Sequence, residues 1–119
     1  MTDVATTVNT YIEGWNETDP GRRRELIART WTEDASYVDP HFASDGHDAI
    51  DAMIAGVHAQ FPGARFKLAG APDQHHDRVR FSWHLHGEDG AHLATGLDVG
   101  TVGEDGRLRS VTGFLEPAA

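Results

Sequence analysis

A chain of 119 residues, 39% hydrophobic and 24% charged, has the length of one domain, with enough apolar material for a core. Its formal net charge of −9 repels phosphate backbones, and the single basic run, Arg22-Arg23-Arg24, ends at once in Glu25 and reads as a solvated helix face, so no nucleic-acid partner is expected. The lack of cysteine excludes disulfides and thiol chemistry. No apolar run nears the roughly 18 residues that cross a bilayer, and Met1-Thr2-Asp3-Val4 lacks the features of a signal peptide, so a cytoplasmic protein without a membrane partner is expected.

Val4, Val8, Tyr11, Ile12 and Trp15 recur at helical spacing and form one stripe, with Thr2 or Asp3 available as cap. Asp19-Pro20 opens a second helix, an acidic N-cap with proline in the first turn, whose apolar residues are Leu26, Ile27 and Trp31. A short strand follows over Ala35 to Asp39 and ends at Pro40. After a loop with Ser44, Asp45 and Gly46, a third helix carries Ile50, Met53, Ile54, Val57 and Phe61 and stops at Pro62-Gly63. Phe66 and Leu68 alternate, as do Val79, Phe81, Trp83 and Leu85. Asp89-Gly90 and Asp105-Gly106 are turn signals that bound a long strand from about Ala91 to Val102 and a last one over Arg107 to Leu115. No linker or repeat interrupts residues 1–119, which read as a single domain. Helices early and an antiparallel meander late make an α+β order, in which a bent sheet and its helices enclose a pocket.

Several side chains on this frame carry chemistry. Asp98 shares one face of the long strand with Ala94, Gly96, Gly100 and Val102, a face with room opposite it; alternation alone also allows Asp98 to face solvent. Facing inward, its carboxyl is costly unless paired or neutral, and a neutral one donates a hydrogen bond. Asp39 lies at a strand end with Tyr37 on the same face, placed as a general base or as the opener of an Asp-Pro turn. Tyr11 sits on a buried stripe, where its hydroxyl needs a partner. His58 on the third helix and His41 beside Pro40 are within reach of a pocket. Eight histidines invite a metal, but His84 and His86 point away from Phe81 and Trp83, His75-His76 lies in a loop, and no third ligand stands at a suitable spacing. Neither a metal nor a cofactor is expected. No nucleophile elbow, phosphate loop or dinucleotide fingerprint is present.

The segments YIEGWNETDP, WTEDASYVDP, GHDAI and GLDVGTVGEDGRLRSV, in this order across nearly the whole chain, resemble the SnoaL-like branch of the nuclear-transport-factor-2-like superfamily. The resemblance implies a cystatin-like cone, a curved antiparallel sheet wrapped by three N-terminal helices, with a central pocket and a homodimer through the outer face of the sheet. Its nearest chemical parallel is ketosteroid isomerase. Tyr11 and Asn16 match that family's Tyr-x-x-x-x-Asn, Asp39-Pro40 its base, and Asp98 its oxyanion-hole acid, which the parallel turns inward together with Asp39, Tyr37, Phe81 and Trp83. The logic of a protonated carboxylic acid donor is that family's own worked case. Trp31 and Ile54 stand where its network tyrosines would be, and Trp15, Trp31 and Trp83 narrow the pocket against a steroid. The limonene-epoxide-hydrolase branch needs Arg-x-Asp on a strand, and Arg78-Val79-Arg80 does not supply it.

The expected function is acid–base proton transfer beside a carbonyl, of isomerase or cyclase type. Tyr11, Asp39 and Asp98 are its catalytic residues, and Trp15, Trp31, Tyr37, Ile54, His58, Phe61, Phe81 and Trp83 its substrate-binding residues. The expected partner is a small apolar carbonyl compound. A non-catalytic carrier of an apolar ligand and a bare dimerisation domain are the alternatives. If Asp98 faces inward, Leu93, Leu97 and Val99 face out and form the apolar strip of the dimer.

Overall fold

A computed structural model describes residues 3–116. Three helices and seven strands follow in the order α1 (Val4–Asn16), α2 (Pro20–Thr30), β1 (Trp31–Val38), β2 (Ala43–Asp45), α3 (Gly46–Gln60), β3 (Arg65–Leu68), β4 (Asp73–His75), β5 (Arg78–His86), β6 (His92–Val102) and β7 (Leu108–Leu115).

The helices arise as their spacing dictates. In α1 the buried residues include Val8, Tyr11, Ile12 and Trp15, one face of a 3.6-residue period. Asp3 occupies the N-cap without a side-chain cap bond, and Thr2 lies outside the described residues. Asp19 caps α2, its carboxylate accepting from the Arg22 amide at 2.8 Å. That helix ends one residue before Trp31, which takes extended geometry and opens β1. The expectation that Trp31 is helical is therefore corrected: with β-branched Thr30 and Thr32 on either side, the chain passes straight into the sheet. The stretch Ser44 to Gly46 also differs from a plain loop, because Ala43–Asp45 pairs antiparallel with β1.

Arg23 is a third departure. The basic run is not wholly solvated: Arg23 is buried, its Nε 2.6 Å from Asp51 Oδ1 and its Nη1 donating to the Glu17 carbonyl at 3.1 Å. It ties α2 to α3, while Arg22 and Arg24 stay outside in exposed pairs with acids.

The strand order is β2-β1-β7-β6-β5-β3, with β4 beside β5. Every pairing is antiparallel except β1 with β7, which run parallel. The sheet is thus mixed at this one seam. A parallel neighbour needs a long connection, and everything from β2 to β6 intervenes. α1 and α3 cover one face of the bent sheet, and the core between them gathers Val8, Ile27, Ile50, Ile54, Val79, Leu108 and Val111.

Candidate active site

The cross-strand register decides which residues face the helices. Phe81 lies opposite Asp98 and Trp83 opposite Gly96, so the alternation of β5 fixes that of β6. Gly96 is required there, since a Cβ would lie 2.1 Å from Trp83 Cζ2. The small face of the long strand receives the Trp83 indole, and Asp98 turns inward with it, only 2% exposed.

Between α1, α3 and the sheet lies a cavity of about 290 Å³, at the lower edge of the range for small-molecule sites. Its walls are mostly aromatic and aliphatic, and its polar members are Tyr11, Tyr37, Asp39, His41 and Asp98. Of the residues named from sequence, Tyr11, Asp39, Asp98, Trp15, Tyr37, His41, Phe61 and Trp83 line it. Trp31, Ile54, Phe81 and His58 do not. Trp31 and Phe81 are buried behind Tyr11, with ring centroids 5.5 and 5.2 Å from its own, and Ile54 belongs to the core. His58 sits on the last turn of α3, with Nε2 buried and unbonded among the described residues.

Sequence reasoning missed Ile12, Phe42, Val57, Phe66, Leu85, Leu93, Ala94 and Leu115 as lining residues. Phe66 was recoverable: it ends in the cavity because Asn16, at the close of α1, holds its backbone. Asn16 Nδ2 donates to the Phe66 carbonyl at 2.9 Å, and the Phe66 amide donates to Asn16 Oδ1 at 2.7 Å. Leu93 was not recoverable. A register shift between Leu85 and His86 makes it an extra residue, and it joins the cavity rim instead of extending the outer strip with Leu97 and Val99. The exposed Phe61, Leu93 and Leu115 mark the mouth.

Two hydrogen-bonded pairs form the polar end. Tyr11 Oη donates to Asp98 Oδ2 at 2.7 Å, fully buried. Burial pushes the Asp98 carboxyl up to about 6, against the Tyr11 bond and the nearby Trp83 indole N–H, which favour the ionised form; the charge of Asp39 pushes it further up. Burial and then the Asp98 charge raise the Tyr11 phenol well above its ordinary value, so it keeps its proton and donates. In the other pair, Tyr37 Oη donates to Asp39 Oδ2 at 2.6 Å, while Asp39 Oδ1 accepts from the amides of His41 at 2.7 Å and Phe42 at 2.8 Å. Asp39 thus opens its turn and lines the cavity at once. Tyr37 too is raised, chiefly by burial and next by Asp98. The arrangement offers proton donors of neutral character beside a carboxylate in an apolar enclosure, which suits acid–base work.

Among the described residues no group of three or more His, Cys, Asp or Glu side chains is arranged to hold a metal ion. His84 and His92 instead share the Thr95 hydroxyl on the outer face, at 2.9 and 2.7 Å. No described helix is long and apolar enough to cross a membrane.

A family model described as a SnoaL-like domain matches residues 8–111. Among solved structures, the chain is 44% identical to an isomerase candidate of the SnoaL-like family from Agrobacterium tumefaciens, over 98% of this chain and 100% of that one, with a TM-score of 0.92. A SnoaL-like polyketide cyclase candidate from a Jannaschia species is 19% identical over 98% and 90% of the two chains, with a TM-score of 0.74. A nuclear-transport-factor-2-like protein of unknown function from an Exiguobacterium species is 19% identical over 94% and 99%, with a TM-score of 0.75. At 19% identity these last two speak for the fold alone. No curated protein matches the chain.

Proposed function

The chain belongs to the SnoaL-like domain family, and from that premise we propose that it moves a proton next to the carbonyl of a small apolar substrate, in a reaction of isomerase or cyclase type. The observation that carries this reading is the Asp98 carboxyl, buried on Tyr11 and lifted to about 6, in one cavity with Asp39. An acid lifted to about 6 is half protonated at that pH, and a protonated Asp98 is a donor aimed at charge developing on a carbonyl oxygen. Tyr11 stands behind it, bonded to its other oxygen. Asp39 takes the proton from the carbon beside the carbonyl and returns it elsewhere. The candidate isomerase of the same family supports the reaction type.

The test is exchange of the α-protons of 2-tetralone in deuterated buffer, followed by NMR. The wild type exceeds the buffer rate, and Asp39→Asn and Asp98→Leu each lower the enzymatic rate by about 10²-fold or more. A non-catalytic carrier is the second reading, favoured by the three hydrogen bonds that already occupy Asp39. Saturable binding of enolisable ketones with no exchange above buffer would install it instead.

Family membership also supports a homodimer through the outer face of the sheet. There Phe114, more than half exposed, lies opposite Leu97 across β6 and β7.

A further inference from the structure

The two hydrogen-bonded pairs at the polar end are not joined to each other. Between them lies an unused atom, Asp98 Oδ1, buried and without a partner among the described residues. Native proteins leave few such atoms, and one that lines a cavity points to a ligand. Gly113 shows how close the other pair comes. A Cβ built there would lie 2.9 Å from Asp98 Oδ1, 3.1 Å from Tyr37 Oη and 3.2 Å from Asp39 Cβ. The two oxygens therefore flank one point, yet no hydrogen bond links them. Glycine inside a strand marks a close approach, and Gly113 is not among the glycines with positive φ, so its lack of a side chain is what the site uses.

We propose that the gap between Asp98 Oδ1 and Tyr37 Oη is the seat of the substrate's oxygen, and that the ligand is an uncharged carbonyl compound whose oxygen completes a chain from Tyr11 through Asp98 to Tyr37. The chemistry of the partners selects this class. A neutral carboxyl and a phenol each have one proton to give, and a carbonyl oxygen has two lone pairs to receive them. No lysine or arginine is among the residues that line the cavity, whereas two aspartates are, so a carboxylate or phosphate would enter against like charge with no ammonium or guanidinium to pair it. Tyr11 already gives its proton to Asp98 Oδ2, so it acts on the ligand through Asp98 rather than by direct contact.

The seat has a mechanistic corollary. Tyr37 has a single proton, held by Asp39 Oδ2 when the site is empty. A ligand oxygen that takes this proton frees the Oδ2 lone pair beside the carbon to be deprotonated. Substrate binding itself then unmasks the base. The inference rests on the cavity being the binding site of a carbonyl compound, and it does not depend on turnover.

The experiment compares 2-tetralone with tetralin, the same skeleton without the oxygen, by quenching of Trp15 and Trp83 fluorescence. The wild type is expected to favour the ketone by about tenfold or more, the worth of two net hydrogen bonds. Tyr37→Phe lowers that preference to about threefold or less, with tetralin affinity unchanged. Gly113→Ala, which displaces both oxygens, does the same and serves as the second variant, with thermal melts reporting that each protein is folded. A full ketone preference in Tyr37→Phe would overturn the proposal and place the oxygen on Tyr11, a result Tyr11→Phe would register. A wild type without preference overturns it too. Ketone preference without proton exchange would sink the reaction proposed above and leave the oxygen seat standing.

Discussion

Asp98 sets the residue-scale energetics because its environment works against its charge. Its folded-state value of about 6 lies above the ordinary 3.8, so between about pH 4 and pH 6 the folded chain holds a proton that the unfolded chain has lost. Stability therefore falls as pH rises through that window and levels off above it, by about 2–3 kcal/mol from this group alone. Asp98→Asn removes the penalty. Its melting temperature should match the wild type near pH 4 and exceed it by roughly 8 °C at pH 7.5, as read by circular dichroism melts at both pH values. Equal differences at the two pH values would contradict the buried, near-neutral acid. Part of this was legible in the sequence. Tyr37 and Asp39 stand two apart on one strand face, which puts them side by side. The inward turn of Asp98 was not legible from alternation, because both faces of β6 carry aliphatic residues. Gly96 beneath Trp83 decides it, and that contact exists only once β5 and β6 are in register.

At the scale of elements, the helices were readable and the seams between elements were not. Asp19-Pro20, the apolar stripes and Pro62-Gly63 mark helix ends by local chemistry. The passage of Trp31 into β1, the pairing of β2 and the burial of Arg23 depend on neighbours distant in sequence. Asn16 joins the two kinds of information. It belongs to a local motif, yet its amide clips the end of α1 to the backbone of β3, which carries Phe66 into the cavity wall. Asn16→Ala should cost about 1–3 kcal/mol, the loss of two part-buried hydrogen bonds. Urea unfolding would read this as a lower midpoint at constant slope. The same variant should weaken binding of 2-tetralone and of tetralin alike, because it loosens an apolar wall and leaves the oxygen seat alone.

At the scale of the whole molecule, the cone has an inner face that encloses a cavity and an outer face that carries an exposed apolar patch. The outer patch centres on Phe114 and Leu97, and Leu93 is subtracted from it by the bulge. Sedimentation at micromolar concentration should show a dimer, and Phe114→Glu a monomer with unchanged helix and sheet content. A monomeric wild type would remove the dimer from this account. The parallel seam between β1 and β7 has a separate consequence, in time. Ser36 pairs with Ser110 and Val38 with Thr112, so this closure joins the early part of the chain to its last strand. Contacts so far apart in sequence carry a large loop-closure entropy and form slowly. Asp39 follows β1 directly, Gly113 lies on β7, and Asp98 pairs with Gly113. The polar centre is therefore among the last parts of the molecule to exist. In stopped-flow refolding, recovery of 2-tetralone quenching should lag the far-ultraviolet dichroism signal. A half-folded chain would then have helices and a hairpin but no completed cavity, so nothing could bind there until β1 and β7 have met.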